Sequence, residues 1–224
     1  MRMLGTLCVA AFLMIPVGST AQDATVEFNL FSYEGLVVSK HFTFDADYTE
    51  RFGIAVPADF EIDLPQRDDV DLIADGQPGG GAFVKFTYAT ASEPRQFVEN
   101  MQIVRGSFPV DPNAENPEMA RLQSMDAALR NHAFPAAVQG FTDAQIIGSR
   151  VTGINGIDAV ELVGTYVDPS IGLMGLRIVG LPHPNQAESY FVVINVNLTL
   201  VPLAGPEAFA ESLTGQALSS FAYR

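Results

Sequence analysis

The chain has 224 residues, with 12 lysines and arginines against 26 aspartates and glutamates, and a formal net charge of −14. That acidity argues against nucleic acid as a partner, because neutralising phosphates takes clustered basic side chains and only Lys40 and Lys85 supply lysine here. One cysteine, Cys8, excludes an internal disulfide and a multi-thiolate metal cluster, while the length suits a single domain with a sizeable core.

Residues 1–21, MRMLGTLCVAAFLMIPVGSTA, have the order of a secretory signal peptide: Arg2 as the sole charge, an apolar run from Met3 to Val17, and small residues at Ser19 and Ala21. The run falls short of the roughly 20 residues a membrane-spanning helix needs. Leu7 precedes Cys8 where lipid attachment requires a small residue, so the expectation is a free, unacylated protein. Cleavage before Gln22 removes the only cysteine. Arginine in preference to lysine, with abundant alanine and glycine, points to a bacterial source and a periplasmic address.

Residues 22–224 are expected to form one domain with a helical insertion at about 109–140. Thr25 to Phe31 alternates, with Val26, Phe28 and Leu30 on one face, and predicts a strand. Leu36–Phe44 predicts a second, and Tyr48–Val56 leads into Pro57, which stops a ladder by lacking an N–H. Phe83–Tyr88 predicts another strand, with Val84, Phe86 and Tyr88 on one face.

The middle changes period. Ser92 as cap and Pro94 in the first turn predict a helix carrying Phe97, Met101, Val104 and Phe108 at helical spacing. A Pro- and Asn-rich link, Pro109–Asn116, precedes a second helix capped by Asn116 and started by Pro117. Met119, Leu122, Met125 and Leu129 form its apolar stripe.

Two hairpins follow. Ala144–Thr152 and Ile157–Val167 flank Asn155-Gly156, a pair that tolerates positive φ in a tight turn. Leu173–Leu181 and Ser189–Val201 flank Pro182–Gln186. In the last strand Val192, Ile194, Val196, Leu198 and Leu200 oppose Asn195, Asn197 and Thr199, which predicts a sheet with one buried side. Gly205-Pro206 opens a closing helix with Phe209, Leu213, Ala217 and Phe221 on its inner face. Strands with segregated helices define an α+β class, an antiparallel sheet with helices packed on its faces.

The order of these elements resembles a known group. Phe52-Gly-Ile-Ala-Val-Pro57-Ala-Asp-Phe60 looks like its opening strand, Phe97–Met101 its mid-chain helix, Gly153–Gly156 its turn, and Ser219-Ser220-Phe221 its closing segment. Together these resemble the PsbP-like family, which includes DcrB-like periplasmic proteins, over about Tyr48 to Tyr223. The group commonly has a Trp after the Pro of its opening strand; this chain has none, and Phe60 stands nearest. The 25–44 segment and the 109–140 insertion have no counterpart. The resemblance implies an α/β/α sandwich and a non-catalytic role in binding or assembly. It transfers no functional residue.

Chemistry-bearing residues do not assemble into a motif. His41, His132 and His183 are not at ligand spacing from one another. The acidic loop Asp68–Asp75 invites calcium, but a loop begun at Asp71 puts Ile73 at its third position and lacks the closing Glu. Asp59, Glu61 and Asp63 alternate and would blunt an exposed strand edge. Gly76–Gly81 lacks the Lys-Ser/Thr of a phosphate loop and predicts a hairpin tip. Arg95, Arg150 and Arg177 are expected to pair with cross-strand carboxylates. No catalytic, cofactor-binding or metal residue is therefore assigned.

The expected function is that of a secreted, periplasmic, non-enzymatic protein that binds a protein or envelope component, with the insertion and the 76–81 loop as contact surfaces. The alternative is a carrier that holds a small apolar ligand between the strands and the Met-bearing helix. A hydrolase built from distant residues is a third, weaker reading. Partner, ligand and oligomeric state are left open.

Overall fold

A computed structural model describes residues 37–43, 59–75 and 82–224. The leader, the predicted strands at 25–31 and 48–56, and the 76–81 tip lie outside the described residues.

Among the described residues, ten strands form two antiparallel sheets. In chain order they are β1 (Val37–Thr43), β2 (Phe60–Gln66), β3 (Val70–Asp75), β4 (Ala82–Thr90), β5 (Phe97–Ser107), β6 (Thr142–Ile154), β7 (Ile157–Asp168), β8 (Gly172–Leu181), β9 (Glu188–Asn197) and β10 (Ala222–Tyr223). The large sheet runs β3-β4-β5-β9-β8-β7-β6 and the small one β1-β2-β10. Helix α1 (Pro117–Ala128) continues through a π turn, Leu129–Ala133, into the short α2 (Phe134–Ala137). A 3₁₀ turn, Pro206–Glu211, precedes α3 (Leu213–Ser219).

The large sheet separates two cores. On one face Val84, Phe86, Met101, Ile103, Val192 and Ile194 meet Phe60, Ile62 and Leu64 of the small sheet and Leu213, Ala217 and Phe221 of the closing segment. On the other, Leu162, Met174, Leu176 and Ile178 meet Leu122, Met125, Leu129 and Phe134 of the insertion. The architecture is α+β, helix on sheet on a mixed layer, as the sequence predicts. The insertion is not an appendage: its helical segment packs on β7 and β8 and buries that part of the sheet face.

The predicted helix over Phe97–Phe108 is instead strand β5. Its residues pair on both sides, with β4 through Met101–Phe86 and with β9 through Met101–Ile194. A strand buried on both faces carries apolar side chains in both parities, and four of them fall by chance at helical spacing. Two flanking ladders of backbone hydrogen bonds then outweigh a weak helical preference. The Ser92–Pro94 segment forms bends, closed where Gln96 N donates to Thr90 Oγ1 (2.9 Å).

Four smaller corrections follow. The sheet has two buried sides, not one: Asn195 and Asn197 are buried, with Asn195 Nδ2 donating to Asn100 Oδ1 (2.9 Å) and Asn197 Nδ2 to the Phe97 carbonyl (3.0 Å). The acidic 68–75 segment is a turn followed by strand β3. β2 lies between β1 and β10, so Glu61 and Asp63 are on an interior strand and not on a sheet edge. The closing helix is also broken at Ser212, whose extended backbone (φ −66°, ψ 161°) ends the 3₁₀ turn while its Oγ accepts from Gly215 N to cap α3.

Candidate functional site

The described surface opens into a cavity of about 890 Å³ at one end of the large sheet. Four segments wall it: the start of α1 with the link before it, the β6–β7 turn, the β8–β9 loop, and β10. Each is held there for a local reason. Asn116 caps α1, its Oδ1 accepting from Met119 N (3.0 Å), and Pro117 occupies the first turn without leaving an N–H unpaired. Asn155 and Gly156 take φ values of 45° and 80°, the left-handed pair that a two-residue hairpin requires. Asn155 Nδ2 donates to the Phe221 carbonyl (3.1 Å), tying that turn to the C-terminal segment.

Arg121 forms part of the wall. It is nine-tenths buried; Nη1 donates to the His183 carbonyl (2.7 Å), and Nη2 to the Gln186 carbonyl (2.6 Å) and Ser189 Oγ (2.9 Å). All three acceptors are neutral, and Nε has no acceptor among the described residues. Burial pulls the Arg121 guanidinium below its ordinary range. Arg95 reaches Asp71 (2.8 Å), Arg150 reaches Glu161 and Glu207 (2.9 Å each), and Arg177 Nε donates to Glu161 (2.6 Å). The carboxylate pairing expected of these three arginines is therefore present. Arg121 is buried without such a partner among the described residues.

Beside it sits an aromatic and polar cluster. His183 is buried, its ring edge-on to Tyr223 with centroids 4.5 Å apart. Its Nδ1 accepts from Asn185 N (3.0 Å), and its Nε2 lies 3.5 Å from Asp59 Oδ2. Asp59 also accepts from Tyr190 Oη (2.6 Å), and Tyr223 Oη donates to the Leu181 carbonyl (2.5 Å). Burial raises the Tyr223 phenol well above its ordinary range, so it stays a neutral donor. The geometry supplies a buried positive charge that is hydrogen-bonded but has no carboxylate partner among the described residues. Among the described residues, no serine or threonine hydroxyl is hydrogen-bonded to the His183 ring.

Of the three histidines, only His183 lines this cavity; His132 is exposed on the π turn, and the side chain of His41 lies outside the described residues. In the acidic segment, Asp69 pairs with Arg67 and Asp71 with Arg95. Among the described residues no three potential metal ligands gather. Sequence reasoning missed Arg121 and Tyr223. The one available signal for Arg121 was a charged residue directly beside Leu122 in the apolar stripe of α1, and nothing local marks Tyr223.

No family model matches the chain, and no curated protein does. The fold resembles solved structures at low identity. The cyanobacterial PsbP protein CyanoP from Synechocystis shares 11% identity with a TM-score of 0.44, covering 84% of this chain and 94% of that one. The Ran-binding protein Mog1p of Saccharomyces cerevisiae shares 11%, with a TM-score of 0.40 and coverages of 74% and 90%. LpqN of Mycobacterium tuberculosis, a protein involved in cell envelope biogenesis, shares 14%, with a TM-score of 0.36 and coverages of 82% and 90%. No described helix is long and apolar enough to cross a membrane.

Proposed function

We propose that this is a secreted, periplasmic, non-enzymatic binding protein that engages a protein or envelope component at the mouth of the cavity where the insertion meets the sheet. The observation that carries this is the mouth itself. Val110 and Met119 line it, yet 46% and 44% of their surfaces remain in water. Large apolar side chains kept exposed around a concavity are characteristic of a site that is covered when occupied. The insertion supplies both residues, in keeping with the contact role expected of it from the sequence. Secretion rests on the order of charge, apolar run and small residues in 1–21.

Chemical cross-linking in periplasm, comparing wild type with Val110→Glu/Met119→Glu, tests this. Both positions are exposed, so the double variant is expected to fold normally and lose its cross-linked partner. An unchanged partner profile sinks the cavity mouth as the contact surface.

The carrier reading finds less room than the sequence left it. The space between α1 and the sheet is filled: Met125 and Leu129 are fully buried, and a Cβ at Gly180 would stand 3.0 Å from the Met125 sulfur. Any small ligand would have to enter the cavity at the start of α1.

A further inference from the structure

We infer that the interior of this cavity binds a small organic acid, a single carboxylate on an apolar body, with Arg121 as its counter-charge. A guanidinium taken nine-tenths out of water costs free energy that hydrogen bonds to neutral oxygens offset in part and an anion offsets more fully. Every hydrogen bond that Arg121 makes among the described residues goes to a neutral oxygen, although the chain carries 26 acidic residues. Glu118, one turn earlier on the same helix and at a spacing suited to ion pairing, forms no pair with it.

The start of α1 adds to the same preference. Asn116, Pro117, Glu118 and Met119 all line the cavity, and the N-terminus of a 12-residue helix carries partial positive charge. Leu122, Ile157, Pro182 and Pro184 supply apolar surface for the rest of the ligand. A volume of about 890 Å³ lies within the range of small-molecule sites.

The rim sets the charge limit. Glu118 and Asp158 are exposed and line the cavity, so a second carboxylate on the ligand would meet like charge. One negative charge fits at the Arg121 end, and a second is disfavoured at the mouth. None of this requires the partner proposed above, and it can be read on purified protein alone.

Calorimetric titration of the full chain with octanoate, octanol and octanedioate tests the assignment. Octanoate is expected to bind, with octanol and octanedioate each about tenfold weaker or more, the scale of one charge-assisted contact. Arg121→Gln should weaken octanoate about tenfold and leave octanol unchanged. Because Arg121 also ties down the 183–189 loop, a second variant keeps the test decisive if that one unfolds. Glu118→Gln/Asp158→Asn, altered only at exposed positions, should strengthen octanedioate more than octanoate. Absent octanoate binding, equal binding of octanol, or a rim variant that leaves octanedioate unmoved would each overturn the assignment. So would binding of a short peptide with a free leucine carboxylate where octanoate does not bind, which would replace the small acid by a chain terminus.

Discussion

Glu99 shows how a single residue can join distant parts of this chain. It is fully buried on β5, and its carboxylate accepts from Leu213 N (3.1 Å), Thr214 N (2.9 Å) and Thr214 Oγ1 (2.5 Å) at the first turn of α3. It caps a helix more than a hundred residues away, satisfying N–H groups that the helix cannot bond internally. Burial lifts its carboxyl above the usual carboxylate range, against the pull of the Thr214, Leu213 and Ser212 donors. A raised folded-state value means that this group contributes stability below its unfolded pKa of about 4.3, and that the contribution is lost as pH rises through the folded value. Urea midpoints measured from pH 4 to pH 8 should therefore fall more for wild type than for Glu99→Gln, whose side chain does not ionise; parallel curves would refute this. Glu99→Ala should cost about 1–3 kcal/mol, the penalty for buried donors left without an acceptor. Nothing in the sequence around Glu99 reveals this role. Within Phe97-Val-Glu-Asn-Met101 it reads as the solvent face of a helix, and its partners lie at the other end of the chain.

At the level of elements, what the sequence showed depended on whether the signal was local. The Asn155-Gly156 hairpin and the Asn116-Pro117 start of α1 were predicted correctly because dihedral and capping preferences sit in adjacent residues. β5 was misread because its identity comes from the strands on either side of it. The packing of the insertion on the sheet was equally hidden, since an amphipathic stripe does not name the surface it covers. Gly164 on β7 marks that surface: a Cβ there would lie 2.6 Å from the Gln145 carbonyl oxygen and 2.6 Å from the Phe134 ring. One of those neighbours is backbone of the adjacent strand and cannot rotate aside. Gly164→Ala is thus expected to cost about 1–3 kcal/mol by overpacking, whereas Gly180→Ala, which meets only the flexible Met125 side chain, should cost less. Thermal denaturation of the two variants compares them directly, and the reverse order would show that α2 is not seated tightly on β7.

Across the whole molecule, the closing segment holds the two sheets together. Phe221 is fully buried and stacks on Phe60 of β2 (centroids 5.0 Å), while Phe60 meets the edge of Tyr190 on β9 (4.9 Å). Just beyond it, Ala222–Tyr223 pair with β2, and Ser220 Oγ accepts from Asp63 N (2.7 Å). The candidate cavity depends on this junction, because Ala222 and Tyr223 form one of its walls and Asn155 holds the β6–β7 turn to the Phe221 carbonyl. The sequence did not show where in three dimensions the Ser219–Phe221 segment sits. Its contacts with Phe60 and Asp63 span most of the chain, and no local pattern encodes them. Removing the Phe221 ring should cost about 3–5 kcal/mol, the range for a large aromatic deleted from a close-packed core. The loss should also be uneven. Strand β8 lies inside the large sheet with hydrogen-bonded neighbours on both sides, whereas β2 meets the large sheet through side-chain packing in which Phe221 takes part. In Phe221→Ala, amide hydrogen exchange is expected to accelerate across Phe60–Leu64 well before it does across Leu176–Val179, through local opening of the small sheet. Equal acceleration in both strands would mean that the two sheets unfold as one unit and that the cavity wall has no independent mobility.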